Sequence, residues 1–223
     1  MDRDLIIQAL AKLLAGVVVM GLLLFVPAGT ASWWNGRLLM AVLFIPMALA
    51  GIVMLLFAPD LLRSRLNMRE EQGDQQLVIK LSSLMFVAAF VVAGLGFRLG
   101  WPTLPRWASL AGALAFLVGY ILFAEVLREN AYLSRTVEVQ EGQHVIDTGL
   151  YGIVRHPMYA ATLLIFLSMP IILGSPISFV IMLAYLPIIN LRMDGEERVL
   201  ADELEGYADY LRRIRWRVIP HVW

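Results

Sequence analysis

Two polar stretches in this largely apolar chain carry residue types that can bind and orient a charged ligand. The first stretch, Leu127–Tyr159, contains Arg155 and His156, and the second, Arg192–Arg217, contains the adjacent carboxylates Glu196 and Glu197. Arginine and histidine side chains donate hydrogen bonds to anions, whereas ionised glutamates accept hydrogen bonds from amino and hydroxyl groups. If these stretches meet, they form one polar site with donors and acceptors on facing sides.

The local pattern indicates how the two stretches are positioned. Pro157 suits the first turn of a helix, so we expect a helix to begin there and to direct free N–H groups and its positive dipole end at the site. Apolar residues recur at helical spacing within Arg192–Arg217 and predict an amphipathic helix, or two helices separated at Gly206. A tail helix that folds back would bring the two glutamates near the arginine and histidine.

The remainder of the chain consists mainly of long uncharged blocks. Of 223 residues, 60% are hydrophobic and 16% are charged, whereas about a quarter are charged in a typical soluble domain. Two of the blocks are short, are separated only by a glycine and a serine, and predict a tight helical hairpin in which Pro170 and Pro187 bend the helices. We expect an all-α integral membrane protein with about six transmembrane helices. The blocks are Leu5–Val26, Leu38–Ala58, Leu77–Phe97, Trp107–Leu127, Pro157–Leu173 and Pro176–Leu191.

The distribution of positive charge predicts the orientation. With six helices and the N-terminus inside, the outer loops hold only Arg37, Arg98 and Arg106, and the inner loops and the tail hold most other arginines. Because positive residues favour the cytoplasmic side, we expect both termini and the polar site to be cytoplasmic. The residues before the first block carry no net positive charge, so a retained helix is favoured over a cleaved signal peptide.

Several chemistries lack the residues that they require. The chain has no cysteine, which excludes disulfides, iron–sulfur clusters and cysteine nucleophiles. It has no Rossmann or Walker glycine motif and no Gly-x-Ser-x-Gly sequence, and its histidines are not spaced as metal ligands. A net charge of zero gives no bias toward nucleic acid. We therefore expect neither a metal nor a nucleic-acid partner.

Simpler structural roles are open for other polar residues. The tail arginines can act as membrane anchors, and Glu125 and Lys80 lie near helix ends from which they can reach water. Asn130 and Asp147 can cap helix ends or turns, and His144 is expected to face solvent.

Two connections have their own expected structures. The alternation within Arg135–Gln140, followed by a turn at Glu141 and Gly142, predicts a short hairpin over the membrane face. The charged loop Leu61–Gln76 is expected to be a solvated turn, with a cover over the site as the alternative.

The order of the polar elements resembles the isoprenylcysteine carboxyl methyltransferase family and the related phospholipid N-methyltransferases. The resemblance begins near Ala124 and implies a four-helix methyltransferase core with an amphipathic tail over 77–223, preceded by an addition of two helices and a loop over 1–76. The elements that carry it are Asp147-Thr-Gly-Leu-Tyr151, Arg155-His156-Pro157-x-Tyr159, an apolar hairpin, Glu196-Glu197, Gly206-x-x-Tyr-x-x-Tyr210 and Pro220.

The resemblance implies an S-adenosylmethionine site in the cytoplasmic connection before the fifth span. Arg192 would meet a carboxylate or an anionic headgroup of the acceptor, and Glu197 would take the proton of an amine acceptor. Asp194 replaces a basic residue common in the family, which leaves amine and thiol acceptors open beside a carboxylate. The cofactor-binding residues that the resemblance implies are Gly149, Leu150, Tyr151, Arg155, His156, Pro157, Tyr159, Glu196 and Glu197.

The acceptor is expected to be a lipid or another lipophilic small molecule delivered by the membrane. Two other functions stay open. The C-terminal region also resembles NADPH-dependent membrane reductases of the sterol-reductase type, although the chain before Arg155 is short for a site that binds the 2′-phosphate. The third possibility is a non-enzymatic membrane partner protein, which predicts no cofactor binding.

Overall fold

In a computed structural model of the chain, residues 3–67, 73–130, 132, 139 and 142–223 are described and form α-helices and a short 3-10 helix at Gly149–Gly152. These residues contain no β-strand, so the predicted all-α fold is confirmed. Half of the predicted hairpin over 135–146, including residues 135–138, lies outside the described residues. The helices are α1 (Arg3–Ala28), α2 (Trp34–Phe57), α3 (Pro59–Asn67), α4 (Gly73–Arg98), α5 (Arg106–Glu129), α6 (Pro157–Ile172), α7 (Pro176–Met182), α8 (Tyr185–Glu203) and α9 (Tyr207–Arg213).

The apolar helices carry the surface expected of a membrane protein. On α1 and α2, large apolar side chains are exposed, with 64% of Ile7, 62% of Leu14 and 80% of Phe57 accessible. Such a surface is unfavourable in water and suits lipid, so the chain is a multi-pass membrane protein. Within the described residues, five stretches are long and apolar enough to cross a membrane, namely Arg3–Ala28, Trp34–Phe57, Lys80–Arg98, Arg106–Glu129 and Pro176–Glu203.

The predicted helical hairpin is present, with two corrections. Helix α6 begins at Pro157 as predicted, but its 16 residues fall below the length of the other spans. The following segment is broken at residues 183–184, upstream of Pro187. Because Pro187 has no N–H for the Leu183 carbonyl, Leu186 N donates to that carbonyl instead at 3.0 Å, and Pro187 falls in the first turn of α8.

The tail and the loop after α2 also differ in detail from the sequence-based expectation. Helix α8 runs without interruption from the apolar segment to Glu203, so the tail helix is its continuation, and α9 follows after the break at Gly206. The expected solvated turn over 61–76 is wrong for much of its length. Helix α3 covers Pro59–Asn67, and α4 already begins at Gly73.

One compact unit of the chain is built around aromatic and amide side chains. Trp33 is 2% exposed and stacks on Phe97 with 5.3 Å between the ring centroids. The Asn35 side-chain amide donates to Ser109 Oγ at 2.9 Å and to the Ile172 carbonyl at 2.7 Å, so buried polar groups are paired. This unit comprises Met1–Arg69, Phe86–Ala113 and Ser168–Met182.

The second compact unit contains both polar stretches. Its tail packs through Leu204, Tyr207 and Tyr210, which form a buried cluster. Gly206 has a φ of 83°, a left-handed conformation that glycine adopts at little cost and that turns the chain from α8 into α9. The unit comprises Glu70–Met85, Leu114–Leu167 and Leu183–Trp223. The expected domain boundary near residue 76 stays a prediction.

Gly94 provides a test of helix packing in the first unit. A Cβ at Gly94 would lie 2.7 Å from the Leu24 carbonyl oxygen and 3.0 Å from the Ala28 nitrogen, so α4 and α1 approach backbone to backbone. We expect Gly94→Ala to lower the free energy of unfolding by about 1–3 kcal/mol through overpacking. Thermal unfolding in one detergent measures the effect. Gly51→Ala is the control, because nothing lies within 4 Å of its Cβ; equal stability of both variants would contradict this packing.

Candidate active site

A cavity of about 760 Å³, including its open mouth, lies within the second unit. The lining combines phenols, a guanidinium, two imidazoles and a carboxylate with apolar side chains. The lining residues are Asn130, Tyr132, Gln143, His144, Val145, Ile146, Tyr151, Arg155, His156, Met158, Tyr159, Glu196, Leu200, Leu204, Tyr207 and Tyr210.

Glu197 is the centre of an ion cluster beside the cavity. His156 Nε2 donates to Glu197 Oε1 at 2.9 Å, and Arg155 Nε lies 3.3 Å from the same oxygen. Arg217 donates to both carboxylate oxygens, from Nε at 3.2 Å and from Nη2 at 2.6 Å. The side chains of Glu197 and Arg155 are 14% and 15% exposed, and His156 is 4% exposed, so each charge is partly withdrawn from water and is balanced within the cluster.

A second polar chain links Glu196 to the adjoining helices. Tyr159 on α6 donates its hydroxyl proton to Glu196 Oε2 at 2.8 Å and accepts a hydrogen bond from Arg192 Nε at 3.0 Å. Arg192 and Glu196 are four residues apart on α8 and therefore share a helix face. The tyrosine thus holds the carboxylate and the guanidinium on either side of its hydroxyl group.

The 3-10 helix is held by Glu129 at the end of α5. The Glu129 carboxylate accepts hydrogen bonds from Leu150 N at 3.0 Å and from Thr148 Oγ1 at 3.1 Å. Gly149 has a φ of 48°, and an added Cβ there would collide with that carboxylate. A glycine is therefore required for the carboxylate to approach the turn that presents Tyr151.

Tyr151 is fixed from two sides and stays neutral. Asn130 Nδ2 donates to its hydroxyl oxygen at 2.9 Å, and the Tyr210 hydroxyl donates to its carbonyl oxygen at 2.8 Å. Burial raises the pKa of Tyr151 to about 12, and burial also raises the pKa values of Tyr207 and Tyr210. At neutral pH these side chains therefore offer uncharged phenols to the cavity.

The structure brings most of the predicted site residues together. Tyr151, Arg155, His156, Tyr159 and Glu196 line the cavity. The other predicted residues, Gly149, Leu150, Pro157, Glu197 and Arg192, lie outside the lining and contact or shape the segments that form it. The predicted approach of the tail glutamates to Arg155 and His156 is found as a direct contact for Glu197, whereas Glu196 contacts Tyr159. The predicted binding and catalytic roles of all ten residues stay predictions.

Sequence reasoning missed several contributors. Arg217 was interpreted as a membrane anchor, yet its guanidinium binds Glu197. Asn130 does cap a turn, because its Oδ1 accepts from Tyr132 N at 3.0 Å, but it also holds Tyr151. His144 is exposed as expected and lines the cavity as well. In the sequence, the only indication of these roles is that polar residues lie close to the motifs.

The described residues include no group of three histidine, aspartate or glutamate side chains that could hold a metal ion. Asp147, which was expected to act as a cap, pairs with Arg213 at 2.7 Å at the edge of the site. The polar residues of the described site thus form hydrogen bonds or ion pairs with one another, or they line the cavity.

Comparison with known proteins gives a family match over part of the chain and a solved structure with a similar fold. Residues 107–204 match the model of the phospholipid methyltransferase family. A solved structure of a eukaryotic intramembrane Ras methyltransferase, isoprenylcysteine carboxyl methyltransferase, is similar with a TM-score of 0.60 and 18% identity, covering 96% of this chain and 77% of that chain. The resemblance to this group of membrane methyltransferases, first inferred from the motifs, is confirmed, and the solved structure shows a shared fold.

Curated proteins with a similar sequence include two that are named as reductases and not as methyltransferases. A Delta(14)-sterol reductase of Arabidopsis thaliana is 27% identical over 127 residues, covering 52% of this chain and 34% of the reductase. A Delta(14)-sterol reductase of Methylotuvimicrobium alcaliphilum is 26% identical over 136 residues, covering 54% and 32%. The chain spans about a third of the length of the curated relatives that it matches.

Gly149→Ala tests the turn that carries Tyr151. We expect this substitution to lower stability by more than the roughly 1–2 kcal/mol that a left-handed alanine costs, because it also displaces Glu129. Chemical unfolding of the detergent-solubilised variants measures the difference. Gly142→Ala is the matched control, since Gly142 has a φ of 74° and nothing within 4 Å of its Cβ. Equal losses in the two variants would show that the contact with Glu129 is unimportant.

Proposed function

We propose that this chain transfers a methyl group from S-adenosylmethionine to a lipophilic acceptor delivered by the membrane. The observation that carries the proposal is the cavity, which is lined by Arg155, His156 and Tyr159 from one motif and by Glu196 from another, about 40 residues later. The family match over 107–204 and the shared fold support the same chemistry.

The residues of the cavity fit the chemical groups of this cofactor. Arg155 lines the cavity, and its buried Nε lies 3.3 Å from Glu197 Oε1 without forming a hydrogen bond. We propose that Arg155 and His156 hold the cofactor carboxylate, that Glu196 accepts from amino or hydroxyl groups, and that Tyr151 and Tyr207 pack against the adenine and ribose. When bound, the cofactor would supply a methyl group already activated by a sulfonium.

The contribution of the protein to such a reaction is mainly positional. Since the methyl group is activated before binding, the chain must hold donor and acceptor in line and exclude water. The neutral phenols and apolar side chains of the cavity suit a dry site. We propose that the acceptor's polar group approaches along α8 near Arg192, while its hydrocarbon part stays among the apolar helices. By the positive-inside argument, this site faces the cytoplasm.

We assign different tasks to the two adjacent carboxylates. Glu197 is engaged by His156 and Arg217 and lies next to Arg155, so we propose that it orients these side chains rather than accepting a substrate proton. Glu196 lines the cavity and has one hydrogen bond from Tyr159. It is therefore the better candidate to take a proton from an amine acceptor.

A reductase is the second candidate, because both curated relatives are named Delta(14)-sterol reductase. A nicotinamide dinucleotide phosphate would need cations for its 2′-phosphate. Among the described cavity-lining residues, Arg155 is the one lysine or arginine, which leaves no second cation for that phosphate. We therefore rank this candidate below methyl transfer.

A transfer assay tests the proposal and separates the two candidates. Purified protein in bilayers of total membrane lipid, supplemented with prenylcysteine, is incubated with methyl-labelled S-adenosylmethionine, and label in the organic phase is counted. We expect transfer by the wild type and, where the labelled product is an amine lipid, a loss of about a hundredfold in Glu196→Gln, since a general base contributes about 10²–10⁴-fold. Glu125→Gln is the control, because Glu125 pairs with Arg128 on an exposed surface.

Two results would contradict the proposal. One is NADPH oxidation in the same bilayers without label in the organic phase, which would favour the reductase. The other is a Glu196→Gln variant that transfers label to an amine lipid as fast as the wild type, which would contradict the role of the cavity carboxylate in the reaction.

A further inference from the structure

The segment that follows α9 lies directly against the Arg-His-Pro motif. Arg155 N donates to the Trp216 carbonyl oxygen at 2.9 Å, and His156 N donates to the Arg217 carbonyl oxygen at 2.8 Å. These two hydrogen bonds fix the backbone at the entrance of α6. The positions of Arg155 and His156 therefore depend on a segment 60 residues later in the chain.

The Arg217 side chain joins the same segment to α8. Its guanidinium donates to Glu197 through two nitrogens, to Asp194 Oδ1 at 2.6 Å and to Asn190 Oδ1 at 3.1 Å. The hydrogen bonds to Glu197 raise the pKa of Arg217, and its side chain is 20% exposed. A planar guanidinium can satisfy several acceptors at once, which a lysine ammonium cannot do with the same geometry.

The location of Arg217 explains how two carboxylates can lie near each other on α8. Asp194 and Glu197 are three residues apart and repel each other unless a cation lies between them. Arg217 supplies that cation, and Glu197 can then present its Oε1 to His156 and Arg155. Asp194, which departs from the family pattern, is thus one half of an ion pair with the C-terminal segment.

We propose that Arg217 is a positioning residue of the cofactor site, which acts through Glu197 to hold His156 and Arg155 against the cavity. The proposal rests on the proposed function, because it predicts an effect on S-adenosylmethionine affinity. Arg217 does not line the cavity, and its side chain is linked to His156 and Arg155 through the Glu197 carboxylate. The C-terminal segment is then part of the binding site.

A double-mutant cycle tests this role. Equilibrium binding of S-adenosylmethionine is measured on the full chain in detergent for wild type, Arg217→Gln, Glu197→Gln and the double variant. Residues that support a ligand-binding side chain contribute about 10–100-fold at metal sites, and we expect a loss of about tenfold for Arg217→Gln. Because both residues act through one contact, the double variant should bind no more weakly than Glu197→Gln alone.

Two further variants keep the test informative. Arg217→Lys retains the charge and should recover part of the affinity, without the bidentate contact. Arg212→Gln is the matched control, since Arg212 pairs with Asp209 on an exposed face of α9 and should leave the affinity unchanged. Thermal unfolding of each variant separates loss of binding from loss of fold.

The outcomes distinguish the two proposals. Failure of the folded wild type to bind S-adenosylmethionine contradicts the proposed function itself. Wild-type binding combined with unchanged affinity in a folded Arg217→Gln, or with strictly additive losses in the cycle, overturns the positioning role alone.

Discussion

The polar half of this protein depends on one carboxylate. Glu197 joins three separate segments, because it accepts from His156 before α6 and from Arg217 in the C-terminal segment while being itself part of α8. A partly buried guanidinium is costly without a counter-charge, and removal of the carboxylate also leaves the imidazole without this hydrogen-bond partner. Without it, the entrance of α6 and the C-terminal segment would each lose a contact with α8.

This constraint explains how a largely apolar chain can hold a polar cavity. Apolar helices such as α5 and α6 can satisfy their backbone internally in lipid, but the residues at their ends must find partners. Glu129 at the end of α5 accepts from Leu150 N, and Tyr159 in α6 bridges Arg192 and Glu196. The cavity is therefore lined by side chains that are already fixed before a ligand arrives, which favours binding and alignment.

Features encoded by short-range patterns were predictable from the sequence. The start of α6 at Pro157 and the break between α8 and α9 at Gly206 follow from local conformational preferences. The meeting of the Arg-His motif with the two glutamates followed from motif order. The role of Arg217 was missed because it lies in a cluster of tail arginines that is typical of membrane anchors. Its contact with Glu197 depends on tertiary packing, which the sequence pattern does not show. The bend was predicted at Pro187, but the helix is interrupted at residues 183–184. Pro187 has no N–H to donate to the Leu183 carbonyl, so the irregularity lies upstream of the proline.

The proposed methyl transfer requires that the cavity next to Glu197 bind S-adenosylmethionine. Calorimetric titration of the folded, detergent-purified chain with S-adenosylmethionine and, separately, with NADPH measures this binding. We expect saturable binding of S-adenosylmethionine at one site and no binding of NADPH. Binding of NADPH alone would contradict it in favour of a reductase, and binding of neither ligand would contradict it in favour of a protein without this chemistry.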